Sequence, residues 1–131
     1  MSAPIVRARD VMDKEVLTID GMASAKEAAT MMRSSQATEL LVAKRNDDDA
    51  RGIITIMDLV KSVIVPGHDA GNVFAYEIMT KPVITVPAQV DIRYVIRLMQ
   101  RIGIRRAPVD DRGEIVGMIT LYSLVLNQDI L

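Results

Sequence analysis

The sequence predicts a mixed α/β (α+β) fold made of two β-α-β-β-α repeats, each a small sheet with helices on one face. Three observations carry that prediction. The phrase GIITIMDL at Gly52–Leu59 returns as GMITLYSL at Gly117–Leu124. VMDKEVLTI at Val11–Ile19 returns as IMTKPVITV at Ile78–Val86, with Met12/Met79, Lys14/Lys81, Val16/Val83 and Thr18/Thr85 identical. Between these phrases each copy holds a helix-length stretch opened by a capping residue. Such self-similarity marks a repeated supersecondary unit. The copies are assigned to residues 1–66 and 67–131, joined through VPGHDAGN, Val65–Asn72, whose proline and glycines mark a linker. A copy of about 60 residues holds little core alone, so the two are expected to bury their remaining surface together.

The elements follow in order. Glu15–Ile19 is β-branched and short, a strand. Ser24 caps a helix, with Glu27 three residues on as a capping box, and Ala25, Ala28, Ala29 and Met32 form its apolar stripe. In the second copy Asp91 is the cap and Ile92, Val95, Ile96 and Met99 are the stripe. Glu39–Ala43 and Arg106–Val109 are expected as strands, each running into a polar turn. Gly52–Thr55 and Gly117–Thr120 are strands that feed closing helices at Ile56–Ile64 and Leu121–Leu126. The second copy is two residues shorter between its strands, a change that a loop absorbs at little cost.

Composition narrows the function. Of 131 residues, 50% are hydrophobic and 25% charged, with a net charge of −1, an ordinary globular balance. No basic arm or patch points to nucleic acid or an anionic membrane. Aromatic residues at 3% are too few for base-stacking platforms. No cysteine is present, which excludes thiolate chemistry and removes zinc's commonest ligand. That absence suits a reducing cytoplasm, the expected location. No apolar run approaches the roughly 20 residues of a membrane helix. No nucleophile–base pair or metal set stands out, so no catalytic residue and no metal site is assigned.

The repeats agree in frame and differ in polar groups. Thr55 ends a strand at a helix start, where amides and the helix dipole favour an anion. Asp58, three residues on, offers two acceptor oxygens that match a vicinal diol such as ribose. The same Thr-x-x-Asp pattern is a capping box, a purely structural role. The second copy keeps Thr120 but has Ser123 in place of the acid. Near Gly103, a helix-ending glycine, Arg105 and Arg106 open a strand on opposite faces. Their planar guanidinium groups suit phosphate, or they are solvated surface charge. Thr38 and Glu39 take their places in the first copy.

These residues resemble a tandem pair of CBS domains, a Bateman module, over nearly the whole chain. The marks are DVMDKEVLTI and EIMTKPVITV, the block GIRRAPVDDRGEIVGMIT, and the G-x-x-T-x-x-D of Gly52, Thr55 and Asp58. The resemblance implies two repeats related by a pseudo-twofold axis, with two clefts that commonly take AMP, ADP, ATP or S-adenosylmethionine. It implies ribose on Asp58 and phosphate on Thr55 and the arginines. One cleft would combine Thr55 and Asp58 with Val83, Ile84, Arg105 and Arg106. A second, weaker one would combine Thr120 and Ser123 with Val16, Leu17, Thr38 and Glu39. The expected function is a regulatory adenine-nucleotide sensor that catalyses nothing, read out by an effector protein. A homodimer forming a four-repeat disc is expected as well, fed by the apolar closing helices. The alternatives are a ligand-free dimerisation module and S-adenosylmethionine binding.

Other residues have plainer readings. His68 lies in the linker without a second histidine. Asn46–Asp49 reads as a solvated hairpin turn, since its spacing is not that of a calcium loop. Met31, Met32, Met57, Met99 and Met118 are expected in the core. Tyr94 and Tyr122 could face a base or an interface.

Overall fold

The computed structural model describes residues 4–131. Its order is α1 (Ala8–Val11), β1 (Thr18–Ile19), α2 (Ala25–Ser35), β2 (Glu39–Val42), β3 (Gly52–Thr55) and α3 (Ile56–Leu59). There follow α4 (Ala75–Ile78), β4 (Val86–Pro87), α5 (Ile92–Ile102), β5 (Arg106–Asp111), β6 (Glu114–Thr120) and α6 (Leu121–Leu126). The strands form two three-stranded mixed sheets, β1-β2-β3 and β4-β5-β6. In each, the first pair is parallel and the second antiparallel. Parallel neighbours need a crossover, and α2 and α5 supply it.

The predicted N-caps at Ser24 and Asp91 hold, but the capping box expected with Glu27 does not form: Glu27 contributes its backbone N–H and not its carboxylate. Ser24 Oγ accepts from Glu27 N–H at 3.0 Å, and Asp91 Oδ1 accepts from Arg93 N–H at 2.8 Å. Ala25, Ala28 and Met32 are buried along α2, as are Ile92, Val95 and Met99 along α5. Gly103 ends α5 at φ +84°, the left-handed conformation expected of it.

Several boundaries move for physical reasons. The strand expected at Glu15–Ile19 pairs as a strand only at Thr18–Ile19, although Leu17 O still accepts from Leu41 N–H at 2.9 Å. The second hairpin is longer than expected at both strands. Its turn is tight, with Arg112 at φ 55° and Gly113 at φ 88°, so pairing runs on to Asp111 and Glu114. The corresponding first-copy connection is longer, and pairing stops at Val42. The helix expected at Ile56–Ile64 is α-helical only to Leu59 and continues as wider π-type turns over Val60–Ile64. Helices α1 and α4 escape the sequence reading because four residues are too few for a periodic stripe.

Packing divides the chain differently from the sequence division 1–66 and 67–131. One compact unit is residues 17–83; the other joins residues 1–16 to residues 84–131. In the first, Ala75 and Ile78 of α4 enter a core with Leu40, Val42, Ile54 and Met32. In the other, Ala8 of α1 lies among Val86, Ile92, Val95, Met99 and Leu124. Backbone bonds explain the exchange. Ile53 and Thr80 exchange N–H···O bonds of 2.9 Å each, and Tyr76 N–H donates to Gly21 O at 2.9 Å. In the other unit Asp13 and Met118 exchange bonds of 2.9 and 2.8 Å, and Arg9 N–H donates to Ala88 O at 3.0 Å. The segment that leads into each repeat therefore completes the unit built on the other repeat's sheet.

That approach needs glycine. A Cβ on Gly117 would meet Met12 Sδ and would lie 2.6 Å from Met12 Cγ and 2.9 Å from the Asp13 carbonyl oxygen. On Gly52 it would lie 2.6 Å from Met79 Sδ but 3.2 Å from the Thr80 backbone. Side chains yield where backbone does not. Gly117→Ala should destabilise by about 1–3 kcal/mol, the usual range for overpacking. Gly52→Ala should cost less. Urea unfolding of the three proteins checks the order.

Candidate functional site

The Thr55–Asp58 junction lies in the unit of residues 17–83, where β3 passes into α3. Asp58 Oδ2 accepts from Thr55 N–H at 2.8 Å and from Thr55 Oγ1 at 3.2 Å. The acid thus folds back on the residue that precedes its helix, as the capping reading requires. Both bonds end on one oxygen, and Oδ1 lies outside the cap. Thr55 and Asp58 are half-buried.

The twin junction solves the same problem in reverse. Thr120 Oγ1 accepts from Ser123 N–H at 3.1 Å. A helix start leaves amides without partners, and either the threonine or the acid can take one. The change from acid to serine therefore leaves the α6 start capped, and removes a carboxylate.

Each junction has its own neighbours. Thr55 is opposite Glu39 across the β2–β3 pair, and Ile56 N–H donates to Thr38 O at 3.2 Å. The Thr38 hydroxyl donates to the Glu39 carboxylate. In the other unit Thr120 is opposite Arg106, and Leu121 N–H donates to Arg105 O at 2.8 Å. Within its unit, then, the acid junction stands beside Thr38 and Glu39, and the serine junction beside the two arginines. Arg105 is exposed, while Arg106 is half-buried and engaged within the chain. Val83 N–H donates to Arg51 O at 2.9 Å. Ile84, the first residue of the other unit's second segment, is exposed. Val16 and Leu17 are half-buried.

The turn read as solvated is more structured than expected. Asp49 keeps only 8% of its side chain exposed and ion-pairs with Arg45 Nε at 3.1 Å and with Lys81 Nζ. Lys81, then the backbone and side chain of Arg45, hold its carboxyl well below the ordinary value of 3.8. This cluster edges a cavity that sequence reasoning missed, because its lining comes from four separated segments. Gly21, aligned with Ala88 in the other copy, was the one available signal. Among the described residues no group of three metal-ligating side chains exists, and no helix is long and apolar enough to cross a membrane. His68 is exposed. Met32, Met99 and Met118 are buried and Met31 is half-buried, but Met57 is 54% exposed, a correction to its expected core place. Its neighbour Ile56 is exposed as well. Tyr94 and Tyr122 are exposed.

Comparison with known proteins gives the class. The CBS domain family model matches residues 8–65 and 75–128, and the chain belongs to the CBS-domain family. It is similar to a protein named uncharacterized protein MK0525 from Methanopyrus kandleri, 35% identical over 92% of this chain and 61% of that protein. It is also 33% identical to a homoserine O-acetyltransferase of Methanocorpusculum labreanum, over 91% of this chain and 23% of the enzyme. The chain thus spans less than two thirds of the length of these relatives. A hexameric CBS-CP12 protein from bloom-forming cyanobacteria superimposes with a TM-score of 0.90 at 34% identity, over 95% of this chain and 72% of that one.

Asp49 makes a pH test possible. Its folded pKa is depressed, so its contribution to stability is full above the ordinary value of 3.8. That contribution is lost as pH falls from there through the lowered folded value. Denaturation midpoints of the wild type should fall in this acid range. In Asp49→Asn that part of the fall should be missing, leaving a flatter profile.

Proposed function

We propose that this CBS pair is a regulatory module that binds an adenine nucleotide (AMP, ADP or ATP) and catalyses no reaction. The observation that carries the reading is the asymmetry of the two junctions. Asp58 presents a carboxylate with one oxygen outside the cap, and the matched position holds Ser123. Ribose hydroxyls would take the carboxylate, with Thr55 beside it. The similarity to CBS pairs extends the reading to Arg105 and Arg106 as phosphate donors, with backbone groups at Val83 and Ile84 near the base. Thr120 and Ser123, with Val16, Leu17 and Thr38, would make a weaker second site.

A second reading, an interaction module without ligand, draws on a different observation. Asp58 is already used as a cap, and the closing segments expose Ile64, Val65, Tyr122 and Leu126. A homodimer built on those residues would serve either reading, with an effector protein as the further partner.

Thermal unfolding with AMP, ADP, ATP and S-adenosylmethionine separates them. A nucleotide at 100 times its Kd should stabilise the fold by about 2.7 kcal/mol. Asp58→Ala should then weaken binding roughly tenfold to a hundredfold, the effect of losing a charged hydrogen-bond partner. No shift with any nucleotide selects the interaction module, and a shift with S-adenosylmethionine alone selects that ligand.

A further inference from the structure

The unit of residues 17–83 has a cavity of about 390 Å³ at the end of its sheet away from Thr55. The register fixes that placement. Thr55 pairs with Glu39 at one end of β3, and Gly52 pairs with Val42 at the other. The cavity is lined by the residues just past β1 and β2, from Asp20 and from Val42 onward. These are the carboxyl ends of a parallel pair, where chain connections diverge and ligands of open α/β sheets commonly sit. The volume is in the range of small-molecule pockets.

Its lining is chemically divided. Met22, Val42, Met79 and the Tyr76 ring give apolar surface, with two flexible thioethers that adapt to a guest. Tyr76 stacks on Phe74 with centroids 5.8 Å apart, which steadies that wall. The polar side carries Lys44, Arg45 and Lys81 against Asp20 and Asp49. Asp49 is taken by Arg45 and Lys81 together. Asp20 Oδ1 accepts from Met22 N–H at 2.7 Å. Lys44 forms no ion pair among the described residues, so the lining has one uncompensated cation.

In the other unit, side chains are hydrogen-bonded across the aligned position. There Ala88 stands for Gly21, each accepting a lead-in amide on its carbonyl oxygen. Arg7 Nη1 donates to Gln89 O at 2.6 Å, and Gln89 Nε2 donates to Asp111 Oδ1 at 2.9 Å. Polar side chains thus tie the same corner together, and Asp110 replaces Ala43. In the unit of residues 17–83 the corner has glycine, alanine and an unanswered lysine instead.

We propose that this cavity is a binding site for a small organic anion, with a carboxylate or phosphate head at Lys44 and a flat apolar body against Tyr76, Met22 and Met79. The site is independent of the nucleotide reading, which uses the opposite end of the sheet. Asp49, latched to Arg45 and Lys81, holds the 44–49 loop as a preformed wall.

The test is methionine-methyl NMR of the full chain, titrated with benzoate, phenyl phosphate and the neutral isostere benzamide. Met22 and Met79 line the cavity, while Met99 and Met118 do not and serve as controls. An anion should shift Met22 and Met79 saturably and leave Met99 and Met118 in place; benzamide should bind far more weakly. Lys44→Gln should weaken the anion about tenfold, as expected for a charged hydrogen bond. Gly21→Ala adds a Cβ 3.4 Å from Tyr76 Cβ and 3.6 Å from Val42 Cγ1, so the fold accepts it while the cavity shrinks and binding falls. Response to only one of the two anions supports the site and fixes its head group. Absence of any saturable shift at Met22 and Met79, equal binding of benzamide, or unchanged affinity in Lys44→Gln would each overturn the proposal.

Discussion

Two pairs of backbone hydrogen bonds hold the rest in place: Ile53 with Thr80, and Asp13 with Met118. Each joins the inner part of a closing strand to a segment that comes from the other sequence copy. Around each pair, a short helix is drawn against the sheet, so that Ala75 and Ile78, or Ala8, reach a core they would otherwise never touch. A copy of about 60 residues leaves much of its apolar surface exposed, so the exchange supplies burial that neither copy has within itself. Gly52 and Gly117 stand at the two crossings because a side chain there would collide with the incoming methionine or its neighbour. The candidate sites inherit their geometry from the same bonds. Thr55 lies two residues beyond Ile53 on β3, and Tyr76, Met79 and Lys81, which line the cavity, flank Thr80 on the same lead-in segment.

A shared frame lets small side-chain changes decide what each unit can do. The closing helices start in equivalent places, yet one is capped by the acid and the other by the threonine. Capping alone accounts for either solution, and the carboxylate is what differs chemically. At the opposite end, Gly21 and Ala43 line a cavity, while the aligned Ala88 and Asp110 stand beside the Gln89–Asp111 hydrogen bond. Duplication keeps the hydrogen-bonding skeleton and frees the polar positions to diverge.

Much of this was legible in the sequence. The duplicated phrases gave the β-α-β-β-α succession of each copy, and Ser24, Asp91 and Gly103 marked helix limits through local chemistry. The twinned alignment also exposed the loss of the acid at Ser123. What the sequence hid depends on distant partners. The four-residue helices α1 and α4 have no periodicity to read, and their place is set by contacts with the other copy. Asp49 looked like one more acid in a polar turn because Lys81, its partner, is far along the chain. The cavity was hidden for the same reason: no single segment supplies both its cations and its apolar wall. At Asp58 four residues left two roles open, and the bonds to Thr55 show the capping one.

Native-state hydrogen exchange on the full chain tests the crossing most directly. The amides of Thr80 and Asp13 should be protected to the same level as those of Ile53 and Met118, and should open with them as the denaturant concentration rises. If Thr80 and Asp13 instead exchange as fast as exposed loop amides while Ile53 and Met118 stay protected, the lead-in segments are not part of those units and the account of the fold is contradicted.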